Sequence, residues 1–318
     1  MTMNHIQFQP GLSMAEFIQR YGTEAQCEAA LEKVRWPEGF RCPRCGGAAH
    51  CVLRGGPRKM FQCNACHHQA SLIAGTVFQS TKLALRVWFL AIHIISQAKT
   101  GLSALALKRQ LGVSYPSAWL IHHKLMQAMA QREERYVLDG PVLVDDAYLG
   151  GERSGGKAGR GSENKVPFVA AVEMQDGRPQ RVRFDPVSGF SFVGLTTWAK
   201  QALVPGATVT SDGLLGFEVV RQLGFKHQVV IPPRGKAGCE IEPFRWMNIL
   251  LGNLKTALSG THHAFHFRKY PHRYLAEVSY RFNRRSDLAS MVPRLATALM
   301  RATPCARKAI QTTAEIGT

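Results

Sequence analysis

Apolar positions repeat at helical spacing through the first part of the chain and change to strand spacing near Pro141. Met14, Phe17, Ile18, Cys27, Leu31 and Val34 mark a helical lead-in over residues 10–37, ending at Trp36-Pro37. Leu83, Val87, Trp88, Leu90 and Ile94 predict a helix within residues 81–96. Ser103 is placed to cap a second helix over residues 104–111, Gly112 breaks the chain, and residues 115–129 read as a third. Beyond Pro141, residues 142–148, 166–174 and 181–184 read as strands, the last two separated by an Asp176-Gly177 turn. A helix (190–203), a strand (207–211), a short helix (215–223) and a strand (227–231) follow. The next helix opens at Pro243, a residue suited to a first turn, and stays apolar through Phe244, Met247, Leu250, Leu251, Leu254 and Leu258. Residues past Asp287 read as helical and then frayed. Hairpin strands first, then alternating strands and helices, predict an α/β core: a mixed sheet with helices on both faces.

Composition changes this picture in one respect. Apolar content of 45 % with 19 % charged residues is ordinary for a globular chain, but the formal net charge is +18. An excess of that size favours nucleic acid or another anionic surface as partner. No run of 18 apolar residues appears, and the N-terminus lacks a secretion signal's charged-then-apolar layout. The expected location is therefore cytoplasmic and nucleoid-associated, with no membrane contact. There the eight cysteines stay reduced, which points to metal and away from disulfides.

Four of those cysteines form two Cys-x-x-Cys pairs, Cys42/Cys45 and Cys63/Cys66, with seventeen residues between the pairs. Four thiolates at this separation suit tetrahedral structural zinc in a ribbon, and Gly46-Gly47 lets the first turn tighten. His67 and His68 are the nearest substitute donors. Arg35, Arg41, Arg44, Arg54, Arg58 and Lys59 surround the pairs with enough charge to touch phosphates. The three helices between residues 81 and 129 follow a helix-turn-helix pattern, with the third as candidate reader of a major groove. Small helical bundles show that pattern as well.

Asp145 and Asp212 each close a predicted strand, the usual place for active groups in an open α/β sheet, although Asp-Gly is also a turn dipeptide. Asn248 and Lys255, seven residues apart, share one helix face about 10 Å from each other. Two carboxylates and an amide oxygen can hold two Mg²⁺ or Mn²⁺ ions against a phosphodiester. After Gly260 the chain is basic and aromatic, with Arg268, Lys269, Arg273, Arg281, Arg284 and Arg285 as candidate phosphate ligands. A buried helix with a solvated basic end would carry the same pattern.

At these residues the chain resembles the insertion-sequence transposases of the DDE type, in the group with an N-terminal zinc ribbon and a lysine after the third catalytic position. Residues 31–45 (LEKVRWPEGFRCPRC) look like that group's head, and 144–151 (VDDAYLGG) like its first acidic motif, usually Asp-Glu-x-Tyr-x-Gly-Gly. Ser211-Asp212-Gly213 looks like the second motif. Leu254-Lys255, Gly260-Thr261-His262-His263 and the stretch from Tyr274 to Arg285 look like the third region. The resemblance implies a ribonuclease-H-like catalytic core that cuts transposon ends and joins the freed 3′ hydroxyl to target DNA, working as a dimer or larger assembly on double-stranded DNA. Position by position it makes Asp145 and Asp212 metal ligands, Asn248 a stand-in for the usual Glu, and Lys255 a phosphate ligand. Asp146, where relatives carry Glu, is read as supporting the ligands from behind. Glu240 and Glu242 are reserve carboxylates, and loop 154–165 a segment that could close over DNA. A non-catalytic regulator and a nuclease that cuts without joining are the rival functions. The expected divisions are 1–80 (lead-in and ribbon), 81–138 (helix-turn-helix-like), 139–290 (catalytic) and 291–318 (C-terminal helix and tail).

Overall fold

The two opening helices, α1 (Met14–Tyr21) and α2 (Glu24–Arg35), each start at a reciprocal cap. Ser13 pairs with Glu16 and Thr23 with Gln26, so side chains satisfy backbone donors that the first turn leaves unpaired. The computed structural model describes residues 6, 8–55, 58–150, 165–233, 242–262 and 267–313. Glu240 and residues 154–164 of the glycine-rich loop lie outside these.

The chain divides into two compact units. The first comprises Met1–Ala98, Leu102–Ala128 and Ser286–Ile310. It holds α1, α2, a small antiparallel sheet of β1 (His50–Leu53), β2 (Met60–Cys63) and β3 (Gln69–Ser71), and the helices α3 (Leu85–Gln97) and α4 (Ala104–Leu111). Ser103 caps α4 through Ala106 N, as its position suggests. Gly112 ends that helix in the left-handed region. The helix α3 has no cap of its own. Instead the Glu24 carboxylate accepts from Leu85 N (2.8 Å) and Arg86 N (3.1 Å), and Arg58 closes the arrangement with a 2.9 Å ion pair to Glu24. Glu24→Ala leaves two helix-end donors and one guanidinium without that partner. It is expected to lower unfolding free energy by about 1–2 kcal/mol, checked by denaturant titration.

Helix α5 (Tyr115–Glu133), the candidate groove reader, is buried along most of its length. Ala118, Ile121, His122, His123, Lys124, Leu125 and Met126 are all buried, and the Lys124 ammonium donates to Val77 O at 2.8 Å. A helix apolar around most of its circumference belongs to an interior. Its first turn, with Tyr115 half exposed, stays open, as the base-reading end of such a helix would.

The second unit, Lys99–Gly101, Met129–Arg285 and Gln311–Thr318, carries the main sheet. Its strands are β4 (Pro141–Gly150), β5 (Lys165–Gln175), β6 (Arg178–Pro186), β7 (Thr208–Ser211) and β8 (Lys226–Val229), in the spatial order β6-β5-β4-β7-β8. β4, β5 and β6 form an antiparallel meander, while β7 and β8 run parallel to β4. On one face lie α6 (Phe192–Ala202) and α7 (Val219–Gln222), with Leu195, Trp198, Phe217 and Val220 packed against Val142, Val144, Val169 and Val209. On β4 and β5 packs α8 (Arg245–Thr261), and on β6 packs α9 (Pro271–Phe282). The remaining helices, α10 (Met291–Arg301) and α11 (Arg307–Gln311), close the described chain. The mixed five-stranded sheet flanked by helices is the ribonuclease-H-like arrangement that the motifs imply. No described helix is long and apolar enough to cross a membrane.

Candidate metal centres and catalytic site

The ribbon is built from two matching turns. Gly46 N returns to Cys42 O (2.9 Å) and His67 N to Cys63 O (3.0 Å), and residue 46 or 67 turns each loop at positive φ (74° and 54°). His67 therefore serves the second turn in the place that Gly46 fills in the first. Behind them Trp36 sits edge-on to Phe61, which stacks on Phe40, so the turns rest on an aromatic floor. The four sulfurs of Cys42, Cys45, Cys63 and Cys66 lie within 4.8 Å of one another. Two of the gaps are 3.6 and 3.5 Å. A tetrahedral zinc with bonds of about 2.3 Å needs sulfurs about 3.8 Å apart, so the donor set fits zinc and asks no ligand of His67 or His68. Backbone N–H groups of Cys66 and Ala65 aimed at Cys63 outweigh burial and hold its thiol down to about 7, which favours the thiolate.

Serine at Cys42 and Cys63 is expected to take zinc from one ion per chain toward none and to unfold the ribbon. Metal analysis and limited proteolysis of residues 22–69 would show this; full zinc retention would refute the site. Of the basic residues around the ribbon, Arg58 is paired with Glu24, Lys59 with Glu32 at 2.6 Å, and Arg35 donates to Leu72 O and Ala74 O. Arg41, Arg44 and Arg54 stay exposed.

The second centre follows from strand register. β4 and β7 pair in parallel through Val144↔Ser211, so the next residues along, Asp145 and Asp212, come out side by side. Val144 and Ser211 belong to the face covered by α6 and α7; alternation then turns Asp145 and Asp212 toward the face covered by α8. One oxygen from each of Asp145, Asp146 and Asp212 lies within 4.8 Å of the others. Burial, then the charges of Asp212 and Asp146, push the Asp145 carboxyl up to about 7, and Lys255 draws it part of the way back. Three crowded carboxylates, all hard oxygen donors, are the environment a hard divalent cation satisfies. Asp212 is further fixed by accepting from Leu214 N at 3.2 Å.

Behind Asp212, Ser211 Oγ lies 2.9 Å from His227 Nε2, and His227 Nδ1 lies 3.8 Å from Glu218. Ser211 is fully buried, so this row of serine, histidine and acid anchors the end of β7 and offers no nucleophile. Asp146 is the residue that sequence reasoning underrated. Strict alternation sends it to the opposite face from Asp145, yet its carboxylate joins the cluster. The doubled Asp145-Asp146 was the available signal.

The α8 helix delivers the other two candidates. Lys255 is exposed and its charge reaches Asp145; Asn248 is half-buried on the same helix, which packs on β4 and β5. Glu242 is exposed ahead of α8. The basic tail divides. Arg273 and Arg284 are only 3 % and 5 % exposed, against the expectation that they meet phosphates. Arg284 forms a 2.6 Å ion pair with Glu133, donates to Tyr280 O and lies over the Tyr280 ring. Arg285 donates to the carbonyls of Pro179 and Gln180 on β6, and Arg281 to Lys99 O at 2.8 Å. Between them Asn283 bonds both Val182 N and Val182 O and donates to Glu133. Asn283 and Arg285 thus clasp the end of α9 to β6, an edge strand that would otherwise expose unpaired backbone groups, while Arg284 ties it to Glu133 of α5. Arg268 and Lys269 are half-buried ahead of α9.

Comparison with known proteins bears on the same two regions. Residues 137–283 match the ISXO2-like transposase domain, and residues 22–69 match a transposase zinc-ribbon domain. A protein of Halobacterium salinarum, named as an uncharacterized protein in transposable element ISH50, is 30 % identical over 177 residues. That match covers 50 % of this chain and 58 % of the relative.

Proposed function

We propose that the chain, which matches a transposase zinc-ribbon domain ahead of an ISXO2-like transposase domain, is an insertion-sequence transposase of the DDE type that binds the terminal inverted repeats of its element, cleaves their DNA and joins the freed strands to a target. The observation that carries this reading is the convergence of Asp145, Asp146 and Asp212 at the end of paired parallel strands.

Asp145 and Asp212 would hold the divalent ions, Mg²⁺ or Mn²⁺, as a two-metal site with Asp146 as the nearby third carboxylate and the Asn248 carbonyl as a donor from α8. Such ions, when bound, supply Lewis acidity toward the phosphodiester and the attacking oxygen. Ser211, His227 and Glu218 keep the end of β7 in place, so Asp212 does not have to reorganise as charge shifts in the reaction. Lys255 is suited to take a DNA phosphate, because it is exposed and already within electrostatic reach of Asp145. Arg268 and Lys269, with exposed Arg41, Arg44 and Arg54 in the other unit, are the phosphate contacts best supported by their surroundings. Arg273 and Arg284 support the fold instead. Two ends must be handled together for joining, which calls for at least a dimer on DNA.

The test combines purified protein, a labelled duplex carrying the inverted repeat that flanks the coding sequence, supercoiled plasmid and Mg²⁺ or Mn²⁺. Nicks at the repeat end and joined products are expected. Nicks without joining would reduce the activity to hydrolysis. Tight, salt-sensitive binding without any cleavage would leave a DNA-binding regulator.

A further inference from the structure

Three large aliphatic side chains stand open to solvent around Asp212: Leu215 is 70 % exposed, Ile231 80 % and Val229 39 %. The backbone gathers them there. The Asp212 carboxylate accepts from Leu214 N, which turns the chain so that Leu215 follows at once. On the other side Val230 N donates to Ser211 O at 2.9 Å, so the end of β8 runs beside residues 211–213. Gly213 lies between them at φ 96°, and a Cβ there would come 3.3 Å from Val229 Cγ1 and 3.5 Å from Ile231 Cγ1. A lone exposed leucine is commonplace, but three exposed aliphatic residues, two beside Gly213 and one three positions after Asp212, bordering an acidic cluster are not.

A surface that tracks a DNA backbone is lined with lysine and arginine. These three positions offer neither charge nor a hydrogen-bonding group. What they match is the apolar face of a nucleobase, which is hidden in a stacked, paired duplex and revealed when a pair opens. We propose that Leu215, Val229 and Ile231 form an apolar step on which bases from an opened DNA end stack, so that the phosphodiester beside them reaches the carboxylates. Aliphatic side chains that unstack base steps have the same physical basis. The inference rests on the DNA strand-transfer reading and names the state of the DNA which that site takes.

The test uses the full-length protein carrying Leu215→Ser and Ile231→Ser together. Both positions are exposed, so the fold tolerates the change. Two versions of the inverted-repeat duplex are compared, one fully paired and one with mismatches at the terminal pairs. The double variant is expected to cleave the paired end on the order of 10-fold more slowly than the unaltered protein and to regain its rate on the mismatched end. Equal slowing on both ends, or none, overturns the step while leaving strand transfer intact. A second measurement works without cleavage. With Asp145→Asn protein, which keeps the Asp212–Leu214 contact, 2-aminopurine at the terminal position should brighten on binding, and that gain should vanish when Leu215→Ser and Ile231→Ser are added. An unchanged signal between the two proteins overturns the proposal. Failure of the unaltered protein to cut either duplex counts against the transfer reading instead, and the fluorescence comparison still judges the step.

Discussion

Asp212→Ala and Asp145→Asn are each expected to reduce strand cleavage by roughly 10³-fold or more while binding to the inverted repeat survives. The reason is placement: the two carboxylates emerge from adjacent parallel strands onto one face, within 4.8 Å of each other and of Asp146. Binding is expected to survive because the proposed phosphate contacts at Arg268, Lys269, Arg41, Arg44 and Arg54 are left unchanged. Gel-shift and cleavage assays run side by side would separate the two effects, and near-normal cleavage by either variant would sink the assignment. The same crowding predicts a second, opposite effect. Asp145 is pushed up to about 7 by burial and by Asp212 and Asp146, so its ionised form is disfavoured in the folded protein. Above its unfolded pKa the charge therefore works against folding, and Asp145→Asn should raise the melting temperature measured without divalent ion. A carboxylate with a raised pKa loses its charge as pH falls through 7. Mg²⁺ or Mn²⁺ must then compete with a proton, so affinity at pH 6 should be about tenfold weaker than at pH 8. Calorimetric titration at the two pH values measures it; a pH-independent affinity would mean that Asp145 is not a ligand.

Arg284→Ala carries the largest expected loss of stability, about 3–5 kcal/mol. The guanidinium and Glu133 are both almost fully buried and meet at 2.6 Å; Asn283 shares the same carboxylate. Removing the arginine leaves a buried carboxylate with only one neutral donor, whose desolvation is then uncompensated. Arg284→Lys keeps the charge but not the planar stack over Tyr280 or the added donation to Tyr280 O, and should recover only part of the loss. Chemical denaturation reads the difference. Were Arg284 a phosphate ligand, as its place in a basic tail suggests, the substitution would weaken DNA binding and leave the unfolding midpoint almost unmoved.

The zinc site illustrates what spacing alone can carry. Two Cys-x-x-Cys turns bring their own sulfurs together by local geometry, and the three strands only have to appose them. Periodicity likewise places α3, α4 and the strands β4 to β8 close to their observed bounds, since each depends on neighbours two to four residues away. The strand end at Asp212 was legible for the same reason, whereas Asp145 lies in the middle of β4, which runs on to Gly150, and marks only where its pairing with β7 stops. Helix α5 was legible as a helix, but its surroundings were not, because burial on nearly all sides depends on what other segments deliver around it.

Charged side chains show the limit most sharply. A basic stretch in a sequence has no stated partner, and solvent-facing phosphate ligands and buried clasps are spelled with the same arginines. Arg284 finds Glu133 across 151 positions of chain, Arg281 finds Lys99 O across 182, and Arg58 finds Glu24 across 34. None of these separations leaves a periodic trace. Asp146 belongs here too: alternation assigns it to the far face, yet in the folded chain its carboxylate lies with those of Asp145 and Asp212. The sequence by itself determined the element types, the sulfur set and the strand end at Asp212, because short-range sterics and spacing suffice for each. Which charges stay exposed, which are buried in pairs, and which third carboxylate joins the cluster were decided by the tertiary structure, because Coulomb and desolvation energies depend on distances that only folding sets.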